Sequence, residues 1–264
     1  MAYRESIETF NGCKTRLMRG GQGSGQAAPM LFLHGAGGAA AWLPFMEKLA
    51  QRFDLIVPEH PGFGMSDTPD WLDNIGDLAY FYLDVIDKLG LAGVHLVGTS
   101  VGGWVAAELA VRDCHALKSL TLSAPAGIHV KGLSKGDTFM WSAEQTARNL
   151  VHDQSLAETM LAQPLSEEQQ FAQMKNRLTM AKLTWQPRLY NPHLHKWLHR
   201  ISVPTLILWG DDDKVIPAGY GPAFRDLIPG SRLETIGNCG HLPQVEHMDA
   251  WTAKIVAFIG RQAP

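Results

Sequence analysis

At 264 residues, with 45% hydrophobic and 19% charged side chains, the chain is long enough to bury one sizeable core. A formal net charge of −3, with no Lys/Arg block longer than two residues, argues against a nucleic-acid partner. Three widely spaced cysteines without a CxxC pair supply neither a disulfide framework nor a metal knuckle, and no apolar run approaches membrane-spanning length. The polar start Met-Ala-Tyr-Arg-Glu-Ser lacks the apolar segment of a signal peptide, so the expectation is a cytoplasmic protein without a membrane partner.

Residues 1–28 read as a β-hairpin region at a sheet edge, with Gly20-Gly21-Gln22-Gly23-Ser24-Gly25 as a hairpin loop. That tract lacks the Lys-Ser/Thr pair of a phosphate loop, and Pro29 follows where a helix would begin. Met30-Leu31-Phe32-Leu33 reads as a buried strand running into His34-Gly35-Ala36-Gly37-Gly38. A loop this poor in side chains leaves backbone N–H groups unshielded, as an oxyanion-binding site requires. A helix over 40–51 then carries Trp42, Phe45, Met46 and Leu49 at helical spacing. Residues 53–58 form the next strand, and 59–67 a turn-rich loop in which His60 reads as a loop cap. A helix over 75–89 places Leu78, Phe81, Tyr82, Val85 and Leu89 on one face, and Gly90 stops it.

The apolar run Val94-His95-Leu96-Val97 enters Gly98-Thr99-Ser100-Val101-Gly102, and a helical stretch from Trp104 leaves it. Strand, sharp turn and helix are the context of a nucleophile elbow. The turn strains the central backbone, lifts the Ser100 hydroxyl above the sheet and sets a helix N-terminus beneath it. Another strand over 117–122 follows, and the alternation predicts a mostly parallel sheet with helices on both faces.

From 129 to 197 the strand–helix rhythm stops, and strand character returns only at 204–209. This interval reads as a helical cap inserted between core segments 1–128 and 198–264, its Met and Trp residues forming the cap's own core with some facing a pocket. Met140, Trp141 and Trp185 are the expected pocket residues within it, joined by Gly37 and Leu242 from the core. His193, His195 and His199 are not spaced to share one helical face, and no carboxylate or cysteine is interleaved, so no metal is expected. After Trp209 comes the acidic loop Gly210-Asp211-Asp212-Asp213, a helix near 219–228 and a strand over 232–236. Gly237-Asn238-Cys239-Gly240-His241 then opens onto a last helix with Trp251, Ile255 and Phe258/Ile259 facing inward.

Three loops at the carboxyl ends of strands thus supply a serine, an acid and a histidine, in that order. A hydroxyl becomes nucleophilic at neutral pH when an imidazole takes its proton and a carboxylate holds the imidazole. These pieces together resemble the α/β-hydrolase family over nearly the whole chain, cap included. The resemblance rests on His34-Gly35-Ala36-Gly37-Gly38, Gly98-Thr99-Ser100-Val101-Gly102-Gly103, Gly210-Asp211-Asp212-Asp213 and Gly240-His241. It implies Ser100 as nucleophile, His241 as base and Asp213 as orienting acid, with Asp212 its rival. It also implies an oxyanion hole from the N–H groups of Ala36 and Val101, with Gly37 as the substitute for Ala36. No cofactor motif is present.

Two branches of the family compete. Carboxylesterases cleave C–O bonds. Meta-cleavage-product hydrolases cleave carbon–carbon bonds in dienoic ketoacids, and typically carry Trp after the catalytic histidine and a cap arginine for the substrate carboxylate. Here Leu242 follows His241, while Arg148, Arg177 and Arg188 are the candidate arginines. The expected function is hydrolysis of a small to medium, mainly apolar ester through an acyl-enzyme, with C–C hydrolysis as the alternative. A cofactor-free lyase, a perhydrolase or a small-molecule receptor with an intact triad ranks below both.

Overall fold

The computed structural model describes residues 3–21 and 27–261. Their centre is an eight-stranded sheet in the order β1-β2-β4-β3-β5-β6-β7-β8. The strands are β1 (Tyr3–Phe10), β2 (Cys13–Gly20), β3 (Pro29–Leu33), β4 (Asp54–Pro58), β5 (Val94–Thr99), β6 (Leu117–Ser123), β7 (Thr205–Gly210) and β8 (Arg232–Ile236). β2 pairs antiparallel with both β1 and β4, and every pairing from β4 through β8 is parallel. β5 and β7 are buried along their whole length, the pattern of strands covered on both faces.

The β1–β2 hairpin turns at Asn11-Gly12, where both residues have positive φ (46° and 75°). This is the two-residue turn whose twist matches the flanking strands. Of the expected loop at 20–25, Gly20 ends β2, and residues 22–25 lie outside the described residues.

Helices cover the two faces. They are α1 (Pro44–Ala50), α2 (Ile75–Lys88), α3 (Val101–Arg112), α4 (Ala143–Leu150), α5 (Gln154–Ala162), α6 (Glu167–Thr184), α7 (Tyr220–Leu227), α8 (Pro243–Glu246) and α9 (Met248–Gly260). α1 starts at Pro44 and not at 40, because proline suits a first helical turn where no N–H partner is needed. One apolar cluster joins α2, α3 and α7 to one face; a second joins α1 and α9, through Phe45, Trp251, Ile255 and Phe258, to the other. No helix is long and apolar enough to cross a membrane among the described residues.

α4, α5 and α6 occupy the strand-free interval between β6 and β7. Their own apolar cluster is small: Ala147, Val151 and Ala157, with Leu150, Leu156 and Leu242 against it. The expectation that Met and Trp residues build this core is therefore corrected. Met140, Met160, Met174, Trp185 and Trp197 are exposed, and Met180 packs into the main core. α4 and α5 bury only Ala147 and Ala157, and α6 buries only part of its length.

Candidate active site

Ser100 sits between β5 and α3 with φ 54° and ψ −116°, a conformation few side chains adopt. Its neighbours enforce it. The Ser100 N–H donates to the Ser123 carbonyl, and its own carbonyl accepts from Trp104 and Ala126 N–H. A Cβ on Gly98 would overlap the Gly102 backbone, and one on Gly102 would overlap the end of β3. Only glycine lets strand and helix approach this closely.

His241 links two partners. Its Nε2 lies 2.8 Å from Ser100 Oγ, and its Nδ1 lies 2.8 Å from Asp213 Oδ2. The second Asp213 oxygen accepts the Val215 and Ile216 N–H groups at 2.9 and 2.8 Å. Both carboxylate oxygens are engaged, and both side chains are buried. Asp212 points elsewhere: its Oδ2 meets His152 Nδ1 at 2.8 Å and Lys214 at 3.3 Å. The hydrogen bond from His152, then Lys214, holds the Asp212 carboxyl below its ordinary range.

The glycine-rich loop after β3 passes beside the serine, since a Cβ on Gly35 would lie 3.3 Å from Ser100 Cβ. Ala36 and Gly37 are exposed, and Val101 is buried at the first turn of α3. Two buried histidines lie under this loop. His34 Nε2 accepts the His60 N–H at 2.9 Å, so the His34 proton sits on Nδ1 and donates to the Gly35 carbonyl at 2.7 Å. His60 Nε2 faces the His34 carbonyl at 2.8 Å, so Nδ1 accepts from the Tyr82 hydroxyl. Burial lowers the His34 pKa to about 4 and pushes that of His60 well below its ordinary value. His60 is thus a neutral strut between two loops. Its position after a strand, in a turn-rich segment, hinted at a cap; only the fold supplies the partners.

Among the expected pocket residues, Leu242 packs into the small cluster of α4 and α5. Trp141 packs against the main core, over Gly136. Met140 is 72% exposed and Trp185 48% exposed, with Trp185 contacting Phe139 and the Arg188 guanidinium. Sequence reading missed two residues that reach the catalytic loops. Asn176 on α6 bonds the Gly37 carbonyl, and Glu246 accepts the Gly240 and Asp153 N–H groups at 2.6 Å each. No local pattern marks either.

His193, His195 and His199 are exposed, and among the described residues no three His, Cys, Asp or Glu side chains are grouped to hold a metal ion. Cys239, two residues before His241, is buried, and burial pushes its thiol up to about 12. It is no nucleophile at neutral pH.

A mostly parallel sheet, a strained serine at a strand–helix turn and a histidine bonded to both serine and aspartate define an α/β hydrolase. The family model for the alpha/beta hydrolase fold matches residues 28–248, and the chain belongs to that family. It is 27% identical to a 2-hydroxy-6-oxononadienedioate/2-hydroxy-6-oxononatrienedioate hydrolase of Burkholderia vietnamiensis, covering 95% of this chain and 93% of the relative. It is also 27% identical to a 2-hydroxy-6-oxo-6-(2'-aminophenyl)hexa-2,4-dienoic acid hydrolase of Metapseudomonas resinovorans, covering 99% and 93%. A meta-cleavage product hydrolase from Pseudomonas fluorescens IP01 has a similar structure, with TM-score 0.80, 22% identity and coverage of 97% and 99%.

Proposed function

We propose that the chain is a serine hydrolase of the meta-cleavage-product type, acting on a small dienoic ketoacid. The observation that carries the serine mechanism is the unbroken chain Asp213–His241–Ser100, with 2.8 Å at each link. Ser100 Oγ attacks the substrate carbonyl as His241 Nε2 takes its proton, and Asp213 stabilises the imidazolium. The Ala36 and Val101 N–H groups, with Gly37 in reserve, receive the developing oxyanion. His241 then delivers its proton to the departing fragment, and water releases the acyl group. In C–C hydrolysis that fragment leaves as carbon, so the proton ends on a carbon atom. No cofactor enters any step.

The carbon–carbon reading rests on the relatives, whose names specify dienoate and dienedioate substrates. This reverses the order expected from sequence, where the ester ranked first. Ester hydrolysis stands as the second reading, favoured by one observation. The three cap arginines are engaged: Arg148 with Glu144 and Glu158, Arg177 with the Phe139 carbonyl, and Arg188 with Asp137. A substrate carboxylate at one of these arginines competes with a partner already bound there. A dienoic ketoacid and a neutral p-nitrophenyl ester, assayed on one preparation, decide between them. Higher kcat/KM on the dienoate supports the proposal, and cleavage of the ester alone replaces it with the second reading.

A further inference from the structure

The Gly35–Gly38 loop holds three glycines in four residues, the composition that loses most backbone freedom when ordered. A loop expected to aim N–H groups at an oxyanion needs ties from outside. From below it is tied by His34, whose Nδ1 meets the Gly35 carbonyl. From above the tie comes from the inserted helix. Asn176, 6% exposed on α6, donates Nδ2 to the Gly37 carbonyl at 3.0 Å. Its Oδ1 accepts the Gly64 N–H at 2.9 Å, so one amide bridges the loops after β3 and β4. Both ends of that amide are committed, and a Cβ on Gly38 would strike it at 2.6 Å.

α6 is itself pinned to the second loop. Thr179 Oγ1 donates to the Gly62 carbonyl at 2.6 Å, and Lys175 Nζ reaches the Gly64 and Ser66 carbonyls at 3.0 and 2.5 Å. The helix lies as a bar across both loops, and Asn176 links its position to the Gly37 peptide. We propose that Asn176 is a positioning residue for the oxyanion hole, acting through its bond to the Gly37 carbonyl. This rests on the hydrolase reading above. The Gly37–Gly38 peptide that Asn176 holds donates its N–H to the Gly35 carbonyl at 3.1 Å, and that carbonyl belongs to the peptide that carries the Ala36 N–H.

The test is the second-order rate at which an alkyl fluorophosphonate labels Ser100 in the full chain. Asn176→Asp keeps the size and the acceptor for Gly64 but sets an oxygen against the Gly37 carbonyl. Thr179→Val removes an α6 tie while sparing that carbonyl. Labelling of Asn176→Asp is expected to fall about ten- to a hundredfold, since small misplacements of catalytic groups cost this much. Thr179→Val is expected to stay within about threefold of wild type. The Asn176→Asp deficit is expected to shrink as pH falls and the new carboxyl regains a proton to donate. With whichever substrate is turned over, the loss lies in kcat and not in KM. If Asn176→Asp is too unstable to assay, Asn176→Ala carries the same expectation. A variant that labels at the wild-type rate, or loses no more than Thr179→Val, overturns the inference and leaves the hydrolase reading intact. Wild-type protein that takes no label overturns that reading, and this one with it.

Discussion

Asp212 and Asp213 are adjacent in the chain, yet their carboxylates serve two different histidines. Asp213 holds His241 at 2.8 Å, and Asp212 holds His152, from the inserted interval, at the same distance. Asp213 is buried with both oxygens bonded, whereas the Asp212 pair is about two-fifths exposed on each side. An exposed pair contributes little, typically below about 1 kcal/mol.

Asp213→Asn is therefore expected to lower kcat by a factor on the order of 10³–10⁴, through loss of the imidazole's orientation and charge partner. Asp212→Asn should stay within about threefold of wild type, since it touches only the exposed pairs with His152 and Lys214. Steady-state kinetics on both variants check this. Equal losses, or the reverse order, refute the assignment of Asp213 as the orienting acid.

Ser100→Ala is expected to remain folded and to lose turnover by several orders of magnitude. Ser100→Gly should also be inactive, yet melt about 2–4 °C above wild type. Glycine accepts φ 54° and ψ −116° without the strain of order 1–3 kcal/mol that a side chain bears. Calorimetry gives the answer, and a Ser100→Gly melting point below that of Ser100→Ala contradicts it.

The buried His34–His60 pair predicts an acid sensitivity. The folded state keeps both rings neutral, with His34 at about 4, while the unfolded chain protonates them near the reference of about 6.5. As pH falls below that value the unfolded state binds protons that the folded state refuses. Stability then declines by up to about 1.4 kcal/mol per pH unit for each ring, and the His34 contribution levels off near pH 4. Among the eleven histidines, NMR at pH 5 should find these two still neutral, with the His34 proton on Nδ1 and the His60 proton on Nε2. A protonated ring at either position at pH 5 rules the arrangement out.

Glu246 joins the catalytic histidine loop to the inserted helices through the Gly240 and Asp153 N–H groups. Glu246→Ala leaves both donors without their carboxylate, at a cost of about 1–3 kcal/mol of stability. Because His241 follows Gly240, kcat is expected to fall about tenfold beyond any change in KM. Unaltered kcat with a lowered melting point would assign Glu246 a purely structural part.

Much of the architecture was legible in the sequence because its causes are local. Alternating apolar runs mark β3 through β8, the 3.6-residue spacing of Leu78, Phe81, Tyr82 and Val85 marks α2, and the glycines around Ser100 mark a turn that tolerates no Cβ. Each depends on residues a few positions apart, so each survives being read along one dimension. Serine, acid and histidine were likewise visible in order, as was the loss of strand rhythm between β6 and β7. The choice between Asp212 and Asp213 was not a matter of composition, since both are aspartates in one loop. It depends on which carboxylate the turn after β7 aims at a ring 28 residues away. The strut of His60 and Tyr82, the bridge of Asn176 to a carbonyl 139 residues distant, and the exposure of Met140 and Trp185 belong to the same kind. These are decided by the packing of separate elements, where a hydrogen bond forms only if two distant backbones arrive within about 3 Å of the right geometry.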